Sequence, residues 1–572
     1  MRLFKQKTGD LLFCIAVLLM LVVGFCTYKD YAKTVDESVE RHTEMLNYRY
    51  ICKTLFGREI GEVPEDWFEE SDEPDDLEHW KDRYYGIFLE LPLVAVEDLT
   101  GFTIPIHRVY QLRHLYTFLL CLCGWICFYL FCRKVFQSTW MGLLGMLMLT
   151  LYPRFWGEQF TNSKDLVFTA ACCACLFGTA MCLEHEGKWR YEVLMAFVSA
   201  LCANTRFLGF QFPALLFGYR LIRDWALVGV PKGERSSWVI KKGLRYLLQL
   251  VMVLLFYFLI TPASWSAPFS FLKGVFGTFS NYTIWDGEVL FLGKYYPGNA
   301  LPWYYIPVWI FLSVPLWYLL LCGLGTISVL RKDFSRRGLP IGEKVRGLLL
   351  SDHRYLVLCL VVALIPFLTH IVKEVTLYNS WRHVYYVTPM LVVLALFGFQ
   401  RVMEICAGKR IWRRVVAGAA CLLLCGQVGW TALNHPYEKV YFNPVGRAFA
   451  EQVDRDYWFE SNYQQLKTIL RNDSTRRIHT SGENFVAGMI QSFLPYEEQI
   501  RFYRWYGYPD KIEYIIDLAD TVEPETFDGY TPVHEIRMHD GLVLSTLHLR
   551  DDVLRDRFGG AYPEDNIRTK NQ

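Results

Sequence analysis

Four short polar clusters carry the side chains of this 572-residue chain that have the types and spacing for chemistry. The first is Thr34-Val35-Asp36-Glu37-Ser38-Val39-Glu40-Arg41-His42, and the second runs from Tyr152 to Asp165 through Arg154, Asn162 and Lys164. The third is Asn204-Thr205-Arg206-Phe207 and the fourth Tyr378-Asn379-Ser380-Trp381-Arg382-His383. Of the carboxylate pair Asp36 and Glu37, one can accept a proton from a hydroxyl. Lys164, Arg206 and Arg382, with His383 beside them, can hold a phosphate and neutralise charge developing on a leaving group. Together these types suit transfer from an anionic lipid phosphate. Each also has a plainer reading. Asp36 and Glu37 fit a helix cap, as do Asn162 and Asp165 for the next helix. Arg154, Lys164, Arg206 and Arg382 fit cations snorkelling from helix ends, and His383 an interfacial histidine.

The elements that must position these clusters are apolar. Hydrophobic residues make up 53% of the chain and aromatic ones 16%, while charged residues reach only 20%. That balance excludes disorder, collagen-like repeats and a small disulfide scaffold. Apolar runs lie at 11–27 and near 115–132, 139–153, 166–183, 191–204, 207–222, 246–262, 304–325, 355–372, 384–399 and 415–432. Most approach the ~20 residues that cross a bilayer core. The basic start before Leu11 resembles a signal peptide, but no small-residue cleavage site follows it. A mainly α, polytopic helical bundle of about eleven spans is expected, the runs at 139–153 and 191–204 being short. Lys and Arg cluster at Arg133-Lys134, Lys188 to Arg190, Arg220 to Arg245, Arg331 to Arg346 and Lys409 to Arg414, in every second linker. The positive-inside rule then places the N-terminus in the cytoplasm, the C-terminus outside and all four polar clusters on the outer face.

Two large external pieces result. Residues 28–112 carry 9 Lys/Arg against 20 Asp/Glu, and residues 433–572 carry 16 against 23. The acidic stretch from Glu59 to Glu78 reads as a solvated loop. The tail mixes a helical start with strand-like runs, and Asp540-Gly541 between two alternating runs signals a hairpin. The division expected is a transmembrane module over 1–432, with juxtamembrane helices in its 28–112 loop, and a small external α/β domain over 433–572. Nearly all of the 17 cysteines lie in or beside the spans, without zinc spacing. Asn281-Tyr282-Thr283 and Asn472-Asp473-Ser474 are formal glycosylation sequons.

In this order the motifs resemble the GT-C superfamily of polytopic glycosyltransferases, in its bacterial protein-mannosyltransferase and aminoarabinose-transferase-like branch. The match starts with Asp36-Glu37 and Arg41, continues through Tyr84-Tyr85-Gly86, Glu97-Asp98-Leu99-Thr100-Gly101, Arg108 and Leu112-Arg113-His114, and reaches Pro153-Arg154-Phe155 with Asn162-x-Lys164-Asp165. It closes with Arg206, Pro302-Trp303-Tyr304-Tyr305, Trp381-Arg382-His383, His435-Pro436-Tyr437, Val440-Tyr441-Phe442-Asn443 and Asp456-Tyr457-Trp458. The proline usual after the acidic pair is Ser38 here. The resemblance spans roughly residues 1–465.

It implies an enzyme of the plasma membrane, multi-pass and bacterial, with its active site on the extracytoplasmic face. A sugar on a polyprenyl-phosphate carrier would pass with inversion to the hydroxyl of an unidentified acceptor (protein, lipid or glycan), within membrane lipid and without nucleic acid. Asp36 would be the general base. An unperturbed Asp titrates at ~3.9 and is a weak base unless its surroundings raise it, which Glu37 would do by repulsion, if Glu37 is not the base itself. Lys164, Arg206, Arg382 and His383 would bind the donor phosphate, and Arg41, Tyr85, Asn162, Asp165 and Trp303 would line the substrate groove. No cofactor is certain: some members hold a divalent cation, for which this sequence shows no convincing ligand set. A non-enzymatic transporter or scaffold for lipid-linked glycans, and a glycan ligase or polymerase of the same architecture, are the alternatives.

Overall fold

The structure, a computed structural model, describes residues 2–61, 76–280, 285, 287–334, 340–373, 375–481, 490–506, 508–518 and 526–563. Most of the acidic stretch from Glu59 to Glu78, and the sequon at Asn281, lie outside them.

All eleven apolar runs fall on helices. Among the described residues seven helices are long and apolar enough to cross a membrane: Lys7–Thr27, Ile106–Val135, Asp165–Glu184, Lys232–Leu259, Arg354–Lys373, Val387–Ile405 and Arg410–Asn434. An eighth span arises if Tyr305–Ser313 and Leu316–Lys332, bent by 117°, count as one. Pro315 lies at that break, where its missing N–H and fixed ring stop an α-helix. The other three runs form shorter helices, Thr139–Thr150, Trp189–Thr205 and Gln211–Leu221, of 12, 17 and 11 residues. By length and composition the chain is a multi-pass membrane protein.

The helices that frame the polar clusters, in chain order, are α1 (Arg2–Thr27), α2 (Val35–Phe56), α3 (Leu91–Leu99), α4 (Ile106–Val135), α5 (Thr139–Thr150), α6 (Pro153–Thr161), α7 (Asp165–Glu184) and α8 (Trp189–Thr205). α2 starts at a capping box: the Thr34 N–H donates to the Glu37 carboxylate, and the Thr34 hydroxyl faces the N–H of Glu37. It stops at Gly57, whose left-handed φ of 60° a glycine adopts without steric cost. The buried Glu44–Arg113 ion pair and a Glu37–His114 contact at 3.1 Å bind α2 to the first turns of α4. A third, Glu97–Arg41 at 2.7 Å, binds α3 to α2. α3 is a short helix within the 28–112 segment between the first two apolar spans.

A hairpin of β1 (Glu288–Phe291) and β2 (Lys294–Pro297) precedes the bent pair. Near the C-terminus, β3 (Ile478–Ser481), β4 (Phe502–Trp505), β5 (Tyr514–Leu518), β6 (Tyr530–Arg537) and β7 (Val543–Arg550) form one sheet in the order β4-β3-β5-β7-β6. β3 runs parallel to β4 and β5, and β7 antiparallel to β5 and β6. Asp540-Gly541 turns the β6–β7 hairpin, with Gly541 at φ 86°. Helix Glu460–Asn472 buries Leu466 and Ile469 with Ile478, Phe502, Tyr514 and Leu547 in a core that reaches Ala32 and Tyr110 of the 28–112 segment.

Candidate active site

The carboxylate at the first turn of α2 is the centre of the site. Asp36 follows directly on the cap, and Glu40 and Glu44 repeat at intervals of four, so all three stand on one face of the helix. Opposite them, the link between α6 and α7 supplies Lys164 and Asp165. The Asn162 side-chain oxygen accepts the Asp165 N–H at 2.7 Å, and its amide donates to Glu158 at 2.9 Å. Arg206 closes the end of α8, and Arg382 opens a single helical turn, Arg382–Val384, before the helix Val387–Ile405.

Arg382 joins the clusters. Its Nη1 donates to Asp36 at 2.5 Å and to Asp165 at 3.3 Å. Arg206 pairs with the other oxygen of Asp165. The Arg382 guanidinium carbon stands 5.0 Å from the centre of the Tyr378 ring and 4.7 Å from that of Trp458. Trp458 in turn donates its indole N–H to Glu158 at 2.9 Å. Glu158 also accepts from Tyr385 and Tyr457 at 3.1 and 2.8 Å, so one buried carboxylate collects the α6 helix, the Arg382 turn and the start of the tail.

Lys164 lies on the other side of Asp36. Its Nζ is 3.4 Å from Glu40 and 4.0 Å above the centre of the Tyr85 ring. Tyr85, Glu40, Glu90, Ser163, Lys164 and Asn204 line a cavity of about 20 Å³. Gly86 lets the Tyr85 loop approach α8: a Cβ there would sit 2.1 Å from the Asn204 carbonyl oxygen.

The charges sort the ionisable groups. Burial pushes the Asp36 carboxyl up, but Arg382 and Lys164 overcome it and hold Asp36 below the ordinary carboxylate value. For Glu40 burial wins over Lys164, and with Glu90, Asp36 and Glu37 nearby its carboxyl is pushed well up. Glu90 is raised in the same way, by burial and by Glu44. Lys164 and Arg382 lose to burial less than they gain from the neighbouring carboxylates, and both stay cationic. His383 is driven well below its usual value by burial and then by Arg382 and Arg206, which keeps it neutral.

The structure therefore brings Asp36, Lys164, Asp165, Arg206, Arg382 and His383 together, with Tyr85 beneath Lys164. Glu37 adjoins Asp36, but its two oxygens are taken by the α2 cap and by His114 at 3.1 Å. Arg41 is buried against Glu97, Asn162 caps α7, and both support the site from behind. Trp303 stands apart, 66% exposed and edge-on to Tyr304. Among the described residues no group of three or more His, Cys, Asp or Glu is placed to hold a metal ion. Glu40, Glu158 and Trp458 lie in motifs read from the sequence but were given no role there, and Glu90 was not singled out. The four-residue spacing of Asp36, Glu40 and Glu44 was the available signal for the first; Trp458 reaches the site only through the folding of the tail.

No family model matches the sequence, and neither does any curated protein. Its shape is similar to solved structures. ArnT from Cupriavidus metallidurans bound to undecaprenyl phosphate is 12% identical, over 97% of this chain and 99% of that one, with a TM-score of 0.42. The archaeal oligosaccharyltransferase AglB from Archaeoglobus fulgidus, in complex with an inhibitory peptide and a dolichol-phosphate, is 10% identical over 87% and 69%, also at 0.42. Identities and scores this low say nothing about the chemistry of this chain.

Proposed function

We propose that the protein is a glycosyltransferase of the outer membrane face. It moves a sugar from a polyprenyl-phosphate-linked donor to an acceptor hydroxyl, in a bacterial plasma membrane. The observation that carries this reading is the half-buried Asp36 carboxylate, side chain 28% exposed, set between Arg382 and Lys164 at the ends of apolar helices. A base held by one fixed cation and close to a second matches a reaction in which a hydroxyl loses a proton while a phosphate departs.

Asp36 accepts the hydrogen bond of the acceptor hydroxyl and takes its proton as the oxygen attacks the anomeric carbon. Lys164 receives the donor phosphate, since its contact with Glu40 is long and its ammonium rests on an aromatic ring rather than inside a tight ion pair. Arg206 and Arg382 supply further positive potential, while Asp165 fixes them in place. Tyr85 offers its ring to the sugar or the first isoprene unit. Attack from the side opposite the leaving phosphate is a single displacement, which inverts the anomeric centre. The basic linkers read from the sequence support a placement of these groups outside the cytoplasm.

The test is transfer of labelled sugar from a panel of polyprenyl-phosphate donors by purified protein, wild type beside Asp36→Asn. Turnover in the wild type and its loss in the variant are expected; a wild type inert with every donor and acceptor sinks the reading.

A further inference from the structure

Glu158 stands on α6, fully buried, and does not line the cavity beneath Tyr85. Its Oε2 accepts the Asn162 amide and the Trp458 indole N–H, each at 2.9 Å. Its Oε1 accepts the Tyr457 hydroxyl at 2.8 Å and the Tyr385 hydroxyl at 3.1 Å. All four donors are neutral. Burying a carboxylate is costly unless its lone pairs are met, and here four separate side chains meet them.

Three of those donors lead to the charges around Asp36. With its amide on Glu158, Asn162 turns its oxygen to the Asp165 N–H at 2.7 Å. Asp165 then takes Arg382 at 3.3 Å and pairs with Arg206. The Trp458 ring, fixed through its indole N–H, lies 4.7 Å from the Arg382 guanidinium carbon. An indole N–H bonded to an anion shifts electron density toward the ring face, which favours a cation there. Tyr385 directly follows the Arg382–Val384 turn, and its N–H bonds the Arg382 carbonyl oxygen at 3.1 Å. The paths through Asn162 and Trp458 thus meet again at Arg382, whose Nη1 reaches Asp36.

We infer that Glu158 is a positioning residue: it fixes Arg382 and Asp165 relative to each other and so sets how the guanidinium meets Asp36. This rests on the transferase reading, in which Asp36 is the base, and adds what holds that base's cation in place. A carboxylate that only tied the tail to α6 would need Tyr457 or Trp458 and no more. The closed circuit Glu158–Asn162–Asp165–Arg382–Trp458 goes further, since it ends on the residue that touches Asp36. Length matters as much as charge. The two oxygens serve different pairs of donors, so a side chain one methylene shorter loses reach to one pair. A glutamine keeps it: its oxygen suits the donor-only Asn162 amide and Trp458 N–H, and its NH2 suits hydroxyls, which also accept.

The experiment compares full-length wild type, Glu158→Asp and Glu158→Gln with a labelled polyprenyl-phosphate sugar that wild type turns over. It records kcat, donor KM, the pH dependence of kcat/KM and the unfolding temperature in detergent. Glu158→Asp keeps the charge and loses reach. Its kcat is expected to fall about 100-fold, the scale of a displacement of about 1 Å, with donor KM changing less. Asp36 faces Arg382, Lys164, Asp165, Glu40 and His383, and Arg382 donates to it at 2.5 Å. A displaced Arg382 raises the proton affinity of Asp36, so the acid limb of kcat/KM moves to higher pH. Glu158→Gln stays closer to wild type in kcat, and its acid limb does not rise. Should Glu158→Asp fail to fold, Glu158→Ala is read by the same limb, because loss of the Glu158 charge alone would lower it. Wild-type kcat in a shortened variant overturns the proposal and leaves the transferase reading intact. So does a slowed one whose acid limb stays in place, which marks a structural tie. A wild type that turns over no donor overturns both.

Discussion

One nitrogen of Arg382 touches two carboxylates that lie 129 residues apart in sequence, Asp36 at 2.5 Å and Asp165 at 3.3 Å. Arg382 is buried, and two aromatic rings flank its guanidinium. Removing one partner of a buried ion pair leaves the other charge without compensation, at about 3–5 kcal/mol. Arg382→Ala is expected to lower the unfolding temperature in detergent and abolish transfer. Arg382→Lys keeps the charge but not the planar fork, and its transfer rate should fall at least about tenfold. Calorimetry beside an activity assay separates the two effects.

Asp36→Asn is the cleaner probe of chemistry. Its side chain is partly open to solvent and takes no part in the α2 cap, and Asp165 still compensates the buried Arg382, so the fold should persist with a lower unfolding temperature. Transfer should drop by about 10²–10⁴, the usual contribution of a positioned base. Glu37 does not substitute for it, because its oxygens are already held by Thr34 and His114. Full activity in Asp36→Asn would remove Asp36 from the role.

Trp458 binds the tail to the site through Glu158 on one side and Arg382 on the other. Trp458→Phe keeps an aromatic ring and loses the buried hydrogen bond to Glu158, at about 1–3 kcal/mol. Trp458→Ala also frees the Arg382 guanidinium. The expected order of kcat is wild type, Phe, Ala, with donor KM changing less than kcat. Equal kcat in all three would show that the tail does not position Arg382.

His435 sits outside the spans with Glu438 at 2.7 Å and Asp30 at 3.1 Å. Burial lowers its proton affinity, but the two carboxylates overcome it and push the imidazole up to about 10. A folded value above the unfolded ~6.5 means its stabilisation is complete below ~6.5 and is lost as pH rises through about 10. Wild type should therefore lose unfolding temperature between pH 7 and 10 more steeply than His435→Gln. Parallel curves would remove His435 as the cause.

Gly86→Ala tests the approach of the Tyr85 loop. The added Cβ would meet the Asn204 backbone at 2.1 Å, so the loop must move away from α8 and carry Tyr85 from Lys164. The expected cost is about 1–3 kcal/mol, with a rise in donor KM. Unchanged KM would show that Tyr85 does not line the donor groove.

Much of this protein was written in local patterns. Every apolar run became a helix, because burial of an apolar stretch depends on its own composition, and the Thr34–Glu37 cap and the Asp540-Gly541 hairpin follow from neighbouring residues alone. Lys164, Arg206 and Arg382 could be picked out beside Asp36 because they lie at helix ends opposite those that carry the basic clusters. The tertiary structure decided which of them meet. Asp36, Asp165 and Arg382 come together only when α2, the α6–α7 link and the Arg382 turn converge, and no residue type reports such convergence. It also separated Asp36 from Glu37, adjacent in sequence, since successive helical residues point about 100° apart: one faces Arg382 and the other His114. For the same reason Glu40, four residues on, and not Glu37, shares a face with Asp36. Proton affinity depends on burial and on charges across space, and for these carboxyl groups it exists only once the chain has folded.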